Sequence, residues 1–329
     1  MIPSDLDSTD GMSGRAFITG VTGQDGSWLA EQLLAAGWQV WGLVRRSSSA
    51  EHWRIAHLDK LVRVSGDVTD LPSLLEALAT VKPTHVYNLA AQSSVADSFV
   101  QPIYTAQVVA IGAANLFEAA RIACPNARIY QASSSEMFGA SPAPQTEQTL
   151  FQPCSPYAAA KVYAHHLAVH YRRTYGMFIA CGILFNHESD RRGPDFVTRH
   201  IARGVARIHA GHAATLPLGN LNARRDWGWA PDYTRAMLGL LNLDAPTDLV
   251  VATGVSHTVE EFAAAAFAVV GKDWRNHVVL DAARVRPCEV PDLLGDPSRA
   301  KSLLGWSPTL GFEQMVVQMV EAEIRRAAP

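Results

Sequence analysis

Apolar residues in the first half of the chain fall into short runs separated by stretches with helical spacing. The runs at Arg15–Thr19, Gln39–Val44, 61–64, 85–89, 127–131 and 177–184 predict strands. The periodic stretches at 28–36, 71–79, 102–123 and 155–176 predict helices. Strands alternating with helices imply right-handed crossovers and a parallel sheet covered on both faces. After residue 193 the alternation loosens. Helices are expected at 196–210, 231–241, 258–270 and Phe312–Ala327, and short strands at 215–218, Asp248–Val251 and 277–280. Gly, Pro, Asn and Arg gather at 191–194, 219–225 and 284–297. The pattern reads as a doubly wound α/β unit over 15–192 and a smaller, loop-rich C-terminal lobe over 193–329. Some segments of that lobe are expected to return to the first unit. Residues 1–14, polar and acidic, read as a disordered lead-in.

Composition narrows the function. A chain of 329 residues with 48% apolar side chains has ample material for a large core. A formal net charge of −3 argues against bulk electrostatic binding of nucleic acid. No uninterrupted apolar run reaches the ~18 residues of a membrane span, and the first residues lack a signal-peptide pattern. Cys124, Cys154, Cys181 and Cys288 are far apart and match no metal-ligand spacing, so no metal and a reducing, cytoplasmic setting are expected. Lys occurs only at 60, 82, 161, 272 and 301 among 28 basic side chains, so a lysine inside a motif is less readily background.

The first strand runs into Thr19-Gly20-Val21-Thr22-Gly23-Gln24-Asp25-Gly26 and then a helix. Glycines at 20, 23 and 26 permit a tight turn and close approach of backbone to a pyrophosphate at a helix N-terminus. Many plain turns carry such glycines; the strand-to-helix context favours a dinucleotide. Thr22, Gln24 and Asp25 belong to the same loop. The second strand ends in Arg45-Arg46-Ser47 rather than in a carboxylate. Two guanidiniums and a hydroxyl suit a 2′-phosphate, which favours NADP over NAD, although a solvated loop would look the same. Asp67-Val68 follows the third strand and is expected at the adenine. Leu89, Ala90, Ala91, Gln92 and Ser93, ending the fourth strand, are expected at the cofactor ribose; sheet packing alone would also use them.

Tyr157 and Lys161 lie four apart on a predicted helix and share a face. A phenol is a poor base at neutral pH. A nearby ammonium and a positively charged cofactor are expected to bring Tyr157 into working range. Ser133-Ser134-Ser135-Glu136 ends the preceding strand, where ligands of such sheets bind. Glu136 is the unusual member: hydride transfer alone has no use for it, whereas abstraction of a proton α to a ketone does. A surface turn after a strand also accounts for a Glu there.

Together with these motifs, Gly182-Ile183-Leu184-Phe185-Asn186-His187-Glu188-Ser189, Arg225-Asp226-Trp227-Gly228 and the segments at 251–254 and 286–297 make the chain resemble the GDP-mannose 4,6-dehydratase family. That family belongs to the extended short-chain dehydrogenases/reductases, and the similarity spans about 310 residues. It implies a Rossmann sheet with a GDP-sugar lobe, NADP, and a homodimer or homotetramer. It implies that Ser134 stands at the family's threonine and, with Glu136, Tyr157 and Lys161, forms the catalytic set. His187, Arg192 and Tyr104 fall on cofactor contacts. Asn186, Val197, Arg225, Arg286 and Glu289 fall on GDP-sugar contacts, and Ser93, Ser94, His200, Leu218 and Gly219 are assigned to the same side. The implied reaction is an internal redox: oxidation at C4, removal of the C5 proton by Glu136, loss of the C6 hydroxyl as water with a proton from Glu136 or Ser134, and return of the hydride to C6.

Departures from the family pattern bear on the substrate. His200 replaces a usual Lys, Asp190 a usual Pro, and Ser94 a frequent His. The first two alter charge or backbone, and Ser94 adds room. A GDP-manno-heptose is therefore the nearest alternative substrate. An epimerase or reductase, which needs Tyr157 and Lys161 but not Glu136, and a non-catalytic NADP-binding sensor are the others.

Overall fold

A computed structural model describes residues 14–45, 52–284, 288, 290 and 292–327. The expected lead-in at 1–13 and the assignments to Arg46, Ser47, Arg286 and Glu289 lie outside the described residues. The chain opens with β1 (Arg15–Thr19), α1 (Gln24–Ala35), β2 (Gln39–Val44), β3 (Val62–Ser65), α2 (Leu71–Val81) and β4 (His85–Asn88). It continues through α3 (Val95–Val100), α4 (Pro102–Ala106), a π-helical turn at Gln107–Ile111, α5 (Gly112–Ala123), β5 (Arg128–Ser134), α6 (Pro156–Tyr175) and β6 (Ile179–Leu184). Next come β7 (Asn186–Glu188), α7 (Val197–His209), β8 (Leu216–Leu218), β9 (Arg224–Trp229), α8 (Ala230–Asn242), β10 (Asp248–Val251) and β11 (Ser256–Thr258). The last elements are α9 (Val259–Val269), β12 (Val278–Leu280), β13 (Asp292–Leu293), α10 (Ser298–Leu304) and α11 (Phe312–Ala327).

Seven parallel strands form the main sheet in the order β10-β6-β5-β4-β1-β2-β3. Successive side chains of a strand point to opposite faces. Thus Ile18 packs with Leu29, Tyr87 and Leu240 on one face, and Phe17 with Leu78, Leu116 and Ile129 on the other. Each such buried side chain contributes roughly 1.5–3 kcal/mol. A smaller sheet runs β11-β9-β13, with β7 also on β9, and β12 pairs with β8. Around it, α7, α9 and α11 bury Ile201, Phe262, Met319 and Trp227 in a separate cluster. The two regions interleave: β7, which directly follows β6 of the large sheet, pairs in the small sheet, while β10 returns to the edge of the large one.

The helix boundaries have local causes. The Ser155 hydroxyl accepts the Ala158 N–H at 3.0 Å to open α6, Pro156 occupies its first turn, and Gly176 ends it at φ 67°. Thr258 and Glu261 close a reciprocal capping box on α9. The structure corrects the sequence reading in several places. Helix α1 starts at Gln24, before the expected 28, and Gly26 in its first turn lies close against the Gly20 carbonyl. The expected helix at 102–123 is continuous, with a π-helical turn at Gln107–Ile111 inside it. That stretch, Pro102–Ala123, has the length and apolarity of a membrane span, yet Ala113, Leu116 and Phe117 are buried in the sheet's core. Strands β7, β9, β11 and β13 were not predicted: three have two or three residues, and β9 reads Arg-Arg-Asp-Trp-Gly-Trp without apolar alternation.

Candidate active site

The phosphate loop is shaped by close backbone contact. Gly20 sits at φ +70°, and a Cβ there would lie 2.7 Å from the Ala90 nitrogen. A Cβ on Gly26 would lie 2.3 Å from the Gly20 oxygen. Only glycine allows this turn to be so tight. The Gly23 N–H donates to Gly20 O at 3.0 Å, and α1 begins with no side-chain cap, leaving its N-terminus suited to an anion. The Thr19 hydroxyl ties the loop to the end of β4: it donates to Asn88 Oδ1 at 2.8 Å and accepts the Leu89 and Ala90 N–H groups.

Asp25 would repel a phosphate at that helix start, but it is paired. His187 Nε2 lies 2.9 Å from its carboxylate, and His187 Nδ1 lies 2.7 Å from Phe185 O. Burial alone would raise the Asp25 carboxyl; His187, Gln24 and Arg192 together hold it down at about 2. Burial opposes charge on His187, and Asp25 more than restores it. The imidazole stacks on Tyr233 at 4.5 Å, which fixes the pair between α1 and β7. At the other end of the cofactor side, Arg45 donates to the Tyr104 hydroxyl at 2.9 Å.

The catalytic candidates meet where β5 ends. Ser134 accepts the Glu136 N–H at 3.3 Å and is hydrogen-bonded to Tyr157. Burial pushes the Tyr157 phenol up to about 12, while the Ser134 hydrogen bond lowers it and the Glu136 charge raises it. Burial brings the Lys161 ammonium down to about 8, opposed by Asp25. Lys161 Nζ donates to Ala132 O at 2.7 Å and stands 5.7 Å from the Tyr157 ring centroid. In the protein alone, burial holds the Tyr157 phenol protonated at neutral pH.

The opposite wall comes from β7, α7, β8 and β9. Asn186 Oδ1 is buried without a hydrogen-bond partner, an acceptor left for a ligand. Arg225 is buried and donates to the Arg224 and Val290 carbonyls at 2.7 and 2.8 Å. Asp226 accepts from Thr253 N, Thr253 Oγ1 and Gly254 N at 2.8, 2.6 and 2.9 Å. Burial nonetheless raises its carboxyl to about 6. Arg192 pairs with the buried Glu188 at 3.0 Å, and Thr198 donates to Glu188 at 2.6 Å. His200 Nε2 donates to Pro217 O at 3.1 Å, and burial lowers its pKa, so the ring is neutral where the family pattern has a cation.

These groups share one cavity of about 870 Å³ that runs from the phosphate loop past the ends of β4 and β5 to the smaller lobe. Every described residue that the sequence assigns to the cofactor or the substrate lines it, with one exception. Gln92 is spent elsewhere: its amide donates to Ser94 O at 3.1 Å and accepts from Thr105 at 3.1 Å. The sequence reading missed Phe99, Phe196 and Arg284 in the lining. Arg284 begins the Arg- and Pro-rich stretch already visible in the sequence; the two phenylalanines carry no signal apart from apolarity.

Comparison with known proteins gives these residues a context. The family model described as GDP-mannose 4,6 dehydratase matches residues 17–319. GDP-mannose 4,6 dehydratase 1 of Arabidopsis thaliana is 50% identical over 325 residues, covering 95% of this chain and 90% of the relative. The Homo sapiens GDP-mannose 4,6 dehydratase is 44% identical over 355 residues, covering 98% and 95%. Among solved structures, a dTDP-glucose 4,6-dehydratase from Streptomyces venezuelae with NAD bound has a TM-score of 0.84 at 25% identity, covering 95% of this chain and 97% of that one. A UDP-glucose 4-epimerase from Thermus thermophilus in complex with NAD has a TM-score of 0.83 at 26% identity, covering 95% and 100%. With half of the aligned positions shared with a plant relative along nearly its whole length, the chain belongs to the GDP-mannose 4,6-dehydratase family.

Proposed function

We propose that the chain dehydrates GDP-mannose to GDP-4-keto-6-deoxymannose, with NADP as its cofactor. The observation that carries this reading is Glu136 beside Ser134 and Tyr157 in a cavity that also holds the Asn186 acceptor and Arg225. The cradle at Gly20 and Gly26, which a Cβ would fill, and the uncapped start of α1 fit a pyrophosphate. Asp67, Val68 and residues 89–91 would hold the adenosine side, Lys161 the nicotinamide side, and Arg45, oriented by Tyr104, the 2′-phosphate. A bound oxidised nicotinamide would supply the acceptor and later the donor of the sugar's hydride, and its positive charge would favour a phenolate at Tyr157.

Tyr157 Oη takes the proton of the C4 hydroxyl, and the Ser134 hydroxyl holds that oxygen in place. Once C4 is a ketone, the Glu136 carboxylate removes the acidified C5 proton. Glu136 then hands a proton to the C6 hydroxyl, which leaves as water. The buried wall around Asn186 and Arg225 orients the nucleotide so that the sugar faces β5. The exposed apolar side chains Val100, Ile103 and Tyr163 on neighbouring helices α3, α4 and α6 support assembly as a homodimer or homotetramer. Four free cysteines fit a reducing cytoplasm.

The test is product mass after incubation with GDP-mannose, GDP-manno-heptose, UDP-glucose and dTDP-glucose. Loss of one water from GDP-mannose, with no net consumption of NADP, is the expected result. Water loss from the heptose alone would move the substrate, and a product of unchanged mass would replace the dehydratase with an epimerase.

A further inference from the structure

Helix α6 carries Tyr157, Lys161 and His165 four residues apart on one face, and all three are buried. The last two grip the end of β5. Lys161 Nζ donates to Ala132 O at 2.7 Å, and one turn further His165 Nδ1 lies 2.9 Å from the hydroxyl of the buried Ser133. The ring itself is fixed: Phe151 and His166 meet it edge-on at 5.2 and 5.8 Å. Burial, opposed by Asp248 and helped by His166 and Arg172, brings its pKa down to about 4, so the ring is neutral near pH 7. A neutral imidazole and a hydroxyl can each give or take the shared proton, so the bond persists in either tautomer. The described residues of the cavity lining include Ser133 but not His165, so the imidazole reaches the site only through the serine.

We infer that His165 is a positioning residue: its hydrogen bond to Ser133 fixes the end of β5, and with it the places of the Ser134 hydroxyl and the Glu136 carboxylate. The inference rests on the roles proposed above for Ser134 and Glu136. Ser134 directly follows Ser133, and the turn Ser135–Met137 that carries Glu136 comes next. Lys161 holds the Ala132 carbonyl, two residues before Ser134, whereas the His165 bond acts on the residue beside it. No proton passes to or from the substrate through the imidazole; it acts on geometry alone. A shift of about 1 Å at a reacting group costs on the order of 10²-fold in rate, so a modest rotation at Ser133 is enough to be measured. A bond that only completed the core would stabilise the fold and leave the turnover of each folded molecule unchanged.

The test compares His165→Phe, which keeps a ring without a polar atom, with His165→Asn, whose amide places one near the position of Nδ1. His165→Phe should lower kcat by about tenfold or more, while KM for GDP-mannose and the affinity for NADPH stay within about twofold of the parent. His165→Asn should recover most of that loss. Ser133→Ala, which removes a single oxygen, should lower kcat by the same factor, and adding it to His165→Phe should cost nothing further. A lower melting temperature with kcat of the folded enzyme unchanged overturns the inference. So does multiplication of the two losses in the double variant, or an Asn variant as slow as the Phe one. The contact has its own readout, without substrate or cofactor. The nitrogen NMR signal of the His165 imidazole, identified by its absence in His165→Asn, should shift in Ser133→Ala; an unmoved signal overturns the contact. A parent that releases no water from GDP-mannose would overturn the proposed reaction, and the positioning role with it, and leave the contact to the nitrogen signal.

Discussion

The two sides of the cavity are built differently. On the main-sheet side, glycine contacts and apolar strands bring backbone close to where a ligand lies, and Asp25, Glu136, Tyr157 and Lys161 are mounted on that frame rather than forming it. Around β9, charged side chains are themselves the framework: Asp226 gathers a loop through three hydrogen bonds, Glu188 pairs with Arg192, and Arg225 braces Val290. Apolar packing leaves the frame itself indifferent to pH, so that only the groups mounted on it titrate. A framework of buried charge makes shape depend on protonation and leaves a donor or acceptor exposed wherever one partner is removed.

The largest effect that separates the two sides is expected from chemistry confined to the first. Tyr157→Phe should lower turnover by roughly 10²–10⁴-fold while nucleotide affinity, measured by calorimetry, stays near the parent value. Glu136→Gln should lose product formation on the same scale but spare binding, and should stop exchange of the sugar's C5 hydrogen with deuterated solvent. Retention of exchange would move the base elsewhere. On the second side the expected loss is stability. Asp226→Ala removes the acceptor of three hydrogen bonds and should cost about 3 kcal/mol in denaturant unfolding. A change within 0.5 kcal/mol would mean that apolar packing holds both sides alike. Arg45→Ala should weaken NADP relative to NAD by about ten- to a hundredfold, and an unchanged ratio would remove Arg45 from the 2′-phosphate.

The smallest effects are the pH slopes, which should have opposite windows. Asp226, raised from 3.8 to about 6, holds a proton in the folded state that the unfolded chain has already released. Its contribution to stability is therefore fully present below about 4 and lost as pH rises to about 6, and Asp226→Asn should flatten that slope. Lys161, lowered from 10.5 to about 8, behaves in reverse: the folded form sheds its proton first, so its burial penalty is relieved as pH rises from about 8 to about 10.5. Lys161→Met should remove that alkaline gain. Melting curves at a series of pH values read both slopes.

The same contrast decided what the sequence could reveal. Runs such as Arg15–Thr19 and Gln39–Val44 announce themselves because both faces of a parallel strand are apolar. The glycines at 20 and 26 and the Tyr157–Lys161 spacing were legible because each has a local cause. Strand β9 was not legible as a strand, although its Arg-Asp-Trp residues were legible as a motif. Its burial is supported by partners far along the chain, Thr253 and Val290, which no window of sequence connects. The direction of the Tyr157 shift was hidden for a similar reason: spacing places an ammonium nearby, but only packing reveals how dry the phenol is.

The return of β10 to the edge of the main sheet has a consequence for how the chain is made. A ribosome releases β6 well before β10, and until residue 251 has emerged the β6 edge has no neighbour on that side. An apolar strand with an unpaired edge is a template for pairing with another nascent chain. The interval between the synthesis of residues 184 and 251 is thus a window of exposure, and a ribosome stalled within it would release a fragment whose nucleotide loop is complete but whose sheet is open. Expression of a fragment ending at residue 245 should yield aggregates, whereas one extended through residue 254 should remain more dispersed.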